Sequence, residues 1–323
     1  LEIPAAISQA ILAFSVNEKK INKKYLIYYL NYLEGFVDYF SSGTTQANLS
    51  RDKVEKFTVL LPALEEQQKI ANFLDEKTSQ IDLIIEKTKQ SIKELKKYKE
   101  SLITEAVTKG LNSNVEMKDS EIEWVGSIPK HWEVNYLNQF FREHKKKNIG
   151  LFEKNLLSLS YGKIVQKDIN TKDGLLPANF GGYNIIKNGD IVLRLTDLQN
   201  DKKSLRVGLA TQRGIITSAY VTLRKVNEVI SEYMYYYLHS FDICKGFYGL
   251  GSGVRQSLNY DGLKKLKIIN PPLSEQREIC EYLNKKTNQI DTLIKKKEKL
   301  LNKMENYKSS YIYEYVTGKK EVM

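Results

Sequence analysis

Along residues 81 to 102 the less polar positions step by four and by three: Ile81, Ile85, Thr88, Ile92, Leu95, Lys99 and Leu102, with Lys, Glu and Gln between them. That spacing places them on one narrow stripe of a helix, the seam of a coiled coil. The stripe recurs as Ile290, Ile294, Lys297, Leu301, Met304, Lys308 and Tyr311. Its lysines can lay their stems along a seam while keeping their heads in water. Ser79-x-x-Asp82 and Asn288-x-x-Asp291 place a capping side chain three residues before a carboxylate. This predicts a short helix, a break, and then a long helix starting at each of those points.

A different pattern fills residues 117 to 272. "GDIVLRL" and "GIITSAYVTL" are short apolar runs punctuated by glycine and predict strands. "ISEYMYYYLHSFDICKG" follows, with Tyr233, Tyr236, Tyr237 and Leu238 at helical spacing, which predicts a helix whose tyrosines sit in the core. Trp124 and Trp132 flank Pro129 at the start of the segment and read as core anchors.

Comparison of the chain with itself joins these parts. The stretch beginning "EEQQKIANFLDEKTSQID" recurs as "SEQREICEYLNKKTNQID", with an offset of 209 residues relating Glu66 to Glu275, Leu74 to Leu283, Asp82 to Asp291, Tyr98 to Tyr307 and Thr108 to Thr317. Upstream, "YLIYYL" at Tyr25 answers "YMYYYL" at Tyr233, Gln46 answers Gln256, and Pro62 answers Pro271. A globular segment and its helix are therefore duplicated, and the proline before each helix is punctuation. The first copy begins at Ile7 to Ala10, which align with Ile216 to Ala219, so its globular part is expected to be incomplete as given. Two matched helices in one chain can pair with each other, and Ile81 to Leu102 spans about 32 Å at 1.5 Å per residue, close to one turn of B-DNA.

Charge adds a partner class. The 323 residues carry 50 Lys+Arg against 39 Asp+Glu, a net +11, which favours a polyanion, although solvated helix faces account for part of the lysine. No apolar run reaches the roughly 18 residues of a membrane span, so no membrane partner and a cytoplasmic location are expected. Cys244 and Cys280 have no ligand-like spacing and read as small buried apolar residues.

Two fragments imitate an amino-methyltransferase: Phe247-x-Gly249-x-Gly251 and Asn270-Pro271-Pro272. Phe247 and Asn270 are only 23 positions apart, whereas one βαβ unit takes roughly 30 residues or more. The glycines also follow a helix rather than a strand, and the first copy has Leu61-Pro62-Ala63 where the second has Asn-Pro-Pro. His131, His144 and His239 are scattered, and Glu143-x-Lys145 has no metal-binding aspartate before it. No catalytic residue and no metal ligand is assigned.

The candidate chemistry is instead that of base reading. Residues 194 to 208 gather Arg194, Thr196, Gln199, Asn200, Lys202, Lys203 and Arg206 between two predicted strands. Arginine pairs bidentately with guanine, Gln and Asn with adenine, and lysine holds phosphates. The competing reading is a solvated hairpin end. A second loop offers Gly249, Gly251 and Gly253 for close backbone approach, with Ser252, Arg255, Gln256 and Asn259 as polar groups. Its counterpart in the first copy holds Thr44, Thr45, Gln46 and Asn48.

The order "WVGSIPKHWEV", "PLSEQ" and "KTNQID" followed by a Lys/Glu-rich helix, with "ALEEQ", "KTSQID" and a matching helix in the first copy but no counterpart there of "WVGSIPKHW", resembles the specificity subunit of type I DNA restriction-modification systems. The resemblance implies an α+β chain whose globular α/β target-recognition domains are separated by two long helices packed as an antiparallel coiled coil. The implied divisions are residues 1–63 (the end of a first recognition domain), 64–116 (first helical spacer), 117–272 (second recognition domain) and 273–323 (second spacer). It implies a non-catalytic subunit reading a bipartite site on double-stranded DNA. Two methyltransferase subunits and restriction/translocase subunits would be its partners, and S-adenosylmethionine, ATP and Mg would sit on them, leaving this chain no cofactor. The alternative is a coiled-coil scaffold, or a DNA-binding protein without sequence specificity.

Overall fold

The computed structural model describes residues 15–34, 54–170, 179–199, 205–251 and 257–322. Thr44, Thr45, Gln46, Asn48, Asn200, Lys202, Lys203, Ser252, Arg255 and Gln256 lie outside them, as does the expected alignment start at Ile7 to Ala10.

In chain order the described elements are α1 (Lys23–Glu34), α2 (Leu64–Lys109), β1 (Met117–Asp119), β2 (Ser127–Pro129), β3 (Glu133–Tyr136), α3 (Leu137–Phe140), β4 (Phe141–Glu143), β5 (Leu157–Ser160), β6 (Lys163–Gln166), β7 (Asn184–Ile186), β8 (Ile191–Leu193), β9 (Val207–Leu209), β10 (Gly214–Ile216), β11 (Val221–Lys225), α4 (Ser231–Ile243), α5 (Tyr260–Leu263), β12 (Lys267–Asn270) and α6 (Leu273–Val316). The chain forms two compact units, residues 1–94 with 292–323, and residues 95–291. Each long helix contributes to both.

The expected break ahead of the coiled-coil seam is absent. α2 and α6 each run unbroken through Ser79 and Asn288. The capping signature loses there because Leu74 and Leu283, upstream of it, are fully buried and hold the helix to its neighbours. Asp82 and Asp291 serve the seam instead. In the first unit Lys308 bonds both oxygens of Asp82 at 2.6 Å. In the second, Lys99 bonds those of Asp291 at 2.7 and 2.8 Å. An offset of 209 converts one pair into the other, so the two copies make the same contact with their roles exchanged. Antiparallel pairing of duplicated helices has this consequence. The seam itself is as expected: Ile81, Ile85, Thr88, Ile92, Leu102, Ile290 and Ile294 are buried, and the remaining members are half-buried.

In the first unit α1 begins where Asn22 accepts from the Tyr25 N–H at 3.0 Å. Tyr25, Tyr29, Ile70, Ala71, Leu74, Ile312, Tyr315 and Val316 form its core. Phe73 packs on the rings of Tyr311 and Tyr315. Gln67 is fully buried: its Nε2 donates to the carbonyl oxygens of Pro62 (2.9 Å) and Lys20 (3.2 Å), and its Oε1 accepts from the Asn22 N–H (2.8 Å).

The second unit repeats that device with Gln276, 1% exposed. Its Nε2 donates to Pro271 O (2.9 Å) and to Asn270 Oδ1 (3.0 Å), while its Oε1 accepts from the Ile230 N–H at the start of α4 (2.8 Å). The Asn-Pro-Pro is thus the end of a strand tied to a helix start, with Asn270 paired to Glu133. Glu275 holds the opening segment, accepting from Trp132 Nε1 at 2.9 Å and pairing with His131 at 2.6 Å. Just after α2, Gly110 has a φ of +79° that residues with a side chain rarely adopt, and a Cβ added there would press on Trp132 at 3.1 Å.

The sheets of this unit pair antiparallel: β4-β11-β8-β9, and the pairs β1-β2, β3-β12, β5-β6 and β7-β10. An amino-methyltransferase's doubly wound parallel sheet is a different construction. Both predicted strand runs are present, the second as two strands, β10 and β11. Tyr233, Tyr236 and Tyr237 are buried as expected, and Trp132 is fully buried. Cys280 is buried, but Cys244, at the end of α4, is exposed; an expectation of burial fails there because the helix stops.

Candidate nucleic-acid interface

β8 and β9 are joined by the loop that holds the first group of candidate residues. All three residues of β8 are buried, and Asp190 just before it is locked by a bidentate ion pair with Arg224 at 2.6 and 2.8 Å. Beyond β8, Leu195 and Leu198 turn inward and are buried, Arg194 and Thr196 are half-buried, and Gln199 is exposed. Asp197 takes a φ of +54°.

Arg206 is not on the surface. It is 0% exposed, and its guanidinium donates to the carbonyls of Arg194 (3.1 Å), Thr196 (3.0 Å) and Asp197 (3.2 Å). Its own N–H donates to Asp242 of α4 at 2.6 Å. Arg206 therefore fixes the loop backbone from inside, and the expectation that it touches a base is corrected to a positioning role. The planar five-donor fork suits this, because neutral loop carbonyls need several aligned donors at once.

The second candidate loop is fastened to the first on both sides. Before it, the 3₁₀ helix Gly246–Leu250 presents Tyr248 5.5 Å from the Arg206 guanidinium carbon and 5.2 Å from Lys245 Nζ. Phe247 is a core residue packed edge-on against Phe241. After it, the Leu258 N–H donates to Leu195 O at 2.9 Å. Asn259 is committed to capping α5, accepting from the Gly262 N–H at 3.0 Å. The described residues bounding the two candidate loops, Leu195 and Arg206 on one side and Tyr248 and Leu258 on the other, are thus in contact.

Sequence reasoning missed a third element beside these residues, the β5–β6 hairpin. Its turn is Tyr161-Gly162, with φ of +45° and +77°, and a Cβ on Gly162 would lie 3.1 Å from Leu205. Tyr235 of α4 donates to Gly162 O at 3.3 Å. Burial first, then Asp291 and Glu232, push that phenol up to about 12, so it remains a donor. The signal was available as a turn dipeptide with tyrosine where Asn or Asp is usual.

Glu143 pairs with Lys145 at 2.9 Å and is a surface ion pair. Among the described residues no cluster of His, Cys, Asp and Glu is arranged to hold a metal ion, and no helix is long and apolar enough to cross a membrane.

Among the described residues the second unit is thus antiparallel α+β, with the paired long helices attached to it. The sequence matches the profile of the type I restriction modification DNA specificity domain over residues 2–94 and 129–303, and the chain belongs to that family, a class of non-catalytic specificity subunits. It is similar to the type I restriction enzyme MjaVIII specificity subunit of Methanocaldococcus jannaschii, 27% identical over 97% of this chain and 74% of that one. The putative MjaX specificity subunit of the same organism is 28% identical over 96% and 71%. The fold resembles a chain in a solved structure on complex assembly and conformational transition of the type I R-M system, with a TM-score of 0.69, 14% identity, and coverage of 93% of this chain and 72% of that one.

Proposed function

We propose that the chain reads DNA sequence through the two loops bounded by Leu195 and Arg206 and by Tyr248 and Leu258, in a type I restriction-modification complex whose other subunits perform the chemistry. The observation that carries this is the Leu195–Leu258 hydrogen bond with the Arg206–Tyr248 contact, which joins the two segments richest in base-reading residue types. Arg194, Thr196, Gln199, Asn200, Lys202, Lys203, Ser252, Arg255 and Gln256 are the proposed contacts, with Thr44, Thr45, Gln46 and Asn48 in the other copy. The proposed divisions are recognition segments at 1–63 and 117–272 and helical spacers at 64–116 and 273–323.

The helices would position two methyltransferase subunits and the restriction/translocase subunits. Supporting this, Ile84 and Leu293 are exposed at equivalent positions of the two copies, and so are Tyr98 and Tyr307. A partner present twice would meet the same side chains twice. S-adenosylmethionine, ATP and Mg belong on those partners in this reading, and the complex works in the cytoplasm.

The test is selection of duplexes from a random pool by the full chain, followed by affinity measurement across salt concentrations. A recognition subunit prefers the selected duplex over random DNA by about 10³-fold or more, whereas a scaffold or unspecific binder shows a ratio near one. Inserting one heptad in both α2 and α6 should change the separation of the two half-sites; an unchanged separation refutes the spacer role.

A further inference from the structure

Tyr161 is 74% exposed at the turn of a two-residue hairpin, with Ser160 and Lys163 as the last paired residues. Both turn residues have positive φ, the requirement that normally selects Asn-Gly or Asp-Gly. Gly162 meets it without cost. Tyr161, at +45°, does not, because a bulky L-residue brings its Cβ against the following carbonyl. The turn is held in place: Gly162 is buried, with room for no Cβ nearer than 3.1 Å to Leu205, and its carbonyl accepts from Tyr235. Asparagine there would be unstrained and would still supply a hydrogen-bonding group. What the strain retains is an aromatic ring.

The position of that ring gives it a use. A Cβ built on Gly162 would lie 3.1 Å from Leu205, the neighbour of Arg206, so the hairpin turn adjoins the proposed reading edge. The following Lys163 and Lys167 are exposed cations on the same hairpin and its exit. We infer that Tyr161 is a DNA-contacting residue, its ring packing on a base edge or deoxyribose of the target duplex beside the two loops. This rests on the DNA-reading function proposed above and adds an element to it.

The experiment compares the full wild-type chain with Tyr161→Asn and Tyr161→Phe, using the duplex selected by the wild type and a random duplex of the same length. Tyr161→Asn should raise Tm by about 2–4 °C, the relief of one left-handed residue in a unit of this size. It should weaken binding to the selected duplex by about tenfold, a typical effect of losing one aromatic on a base. Tyr161→Phe should bind within about twofold of wild type. A Tyr161→Asn chain that is more stable and binds equally well overturns the inference while leaving the recognition function intact. Loss of binding as large in Tyr161→Phe as in Tyr161→Asn overturns the assignment to the ring. A wild type that selects no sequence at all instead removes the function on which both stand.

Discussion

Gln276→Glu changes one nitrogen to oxygen at a site where shape is preserved and only hydrogen-bond polarity differs. In the native protein Nε2 donates to two acceptors, Pro271 O and Asn270 Oδ1, while Oε1 accepts from the Ile230 N–H. A carboxylate keeps the last bond and turns the first two into oxygen–oxygen repulsions. Each buried acceptor left without a donor costs about 1–3 kcal/mol, so the substitution should destabilise the unit by about 3–5 kcal/mol while the new carboxyl is ionised. Taking up a proton restores one donor, so the folded-state pKa of the introduced carboxyl is raised above its unfolded value near 4.3. The folded state then holds more protons than the unfolded one through that window, and stability must fall as pH rises through it. The variant is therefore worst at pH 8 and recovers about 1–2 kcal/mol at pH 5.

Gln276→Met is the control: it orphans the Ile230 N–H and the Pro271 carbonyl at about 2–4 kcal/mol, with no pH dependence of its own. Urea unfolding followed by tryptophan fluorescence reports the change, since Trp132 is fully buried and hydrogen-bonded to the adjacent Glu275. A Gln276→Glu protein within about 0.5 kcal/mol of wild type at pH 8 would refute the staple, because such a value belongs to a surface substitution. Gln67→Glu should reproduce the pattern in the other unit.

Three other expectations use urea unfolding, read by tryptophan fluorescence for the second unit and by far-UV circular dichroism for the first, which contains neither Trp124 nor Trp132. A double-mutant cycle on Lys99 and Asp291, whose side chains are 25% and 32% exposed, should give a coupling of about 0.5–1 kcal/mol; the pair Lys308 and Asp82, with Asp82 more exposed, should give less, and equal or reversed couplings would contradict the burial difference. His239 is held neutral by burial first and by the Lys99 charge second, with its pKa lowered to about 4. The unfolded chain takes up that proton below about pH 6.5, so the stability it carries is present above that value and is lost as pH falls toward 4, by about 3 kcal/mol; His239→Phe should remove this share of the acid sensitivity while keeping the stack on Tyr235, and an unchanged pH profile refutes it. Tyr233→Phe deletes the bond from its hydroxyl to Val107 O (3.0 Å) and should cost about 1–2 kcal/mol, whereas no measurable change would mean that the carbonyl is satisfied otherwise.

The seam and the duplication were legible because period and self-similarity survive without knowledge of tertiary partners. Position alone was less readable. Arg206 carries the same charge as Lys202 and Lys203 just before it, so residue type does not mark it as buried, and β8 gave no alternation to separate inside from outside, since all of it is buried. The capping signatures at Ser79 and Asn288 were real local preferences that lost to burial of Leu74 and Leu283 five residues earlier and of Thr78 and Thr287 immediately before them. Gln67 and Gln276 were visible only as letters of a repeated motif, because a glutamine after a proline ordinarily faces water. Tyr161 was overlooked because tyrosine stands where the Asn or Asp of a two-residue turn is usual, leaving Gly162 as the one turn signal.

Duplication explains why those letters recur as a set. In the first unit the single hydroxyl proton of Tyr25 is shared between Leu60 O of its own copy (2.8 Å) and Val316 O at the end of the other copy's helix (3.1 Å); in the second unit Tyr233 donates to Val107 O. Tyr28 reaches Asp75 and Thr78 as Tyr236 reaches Asn284, the residue equivalent to Asp75. Each joint thus takes its tyrosine helix, proline and glutamine from one copy, and its last helical turn from the other. A helix end needs donors for its final carbonyls, and here neither helix finds its tyrosine donor within its own copy. Substitutions that spare one copy's tyrosine while altering the other copy's Val-Thr end must therefore damage the same joint. A cycle between Tyr233→Phe and Thr108→Val should show coupling, and a cycle between Tyr233→Phe and Thr317→Val should be additive within about 0.3–0.5 kcal/mol. The reverse outcome would mean that each helix is closed by its own copy.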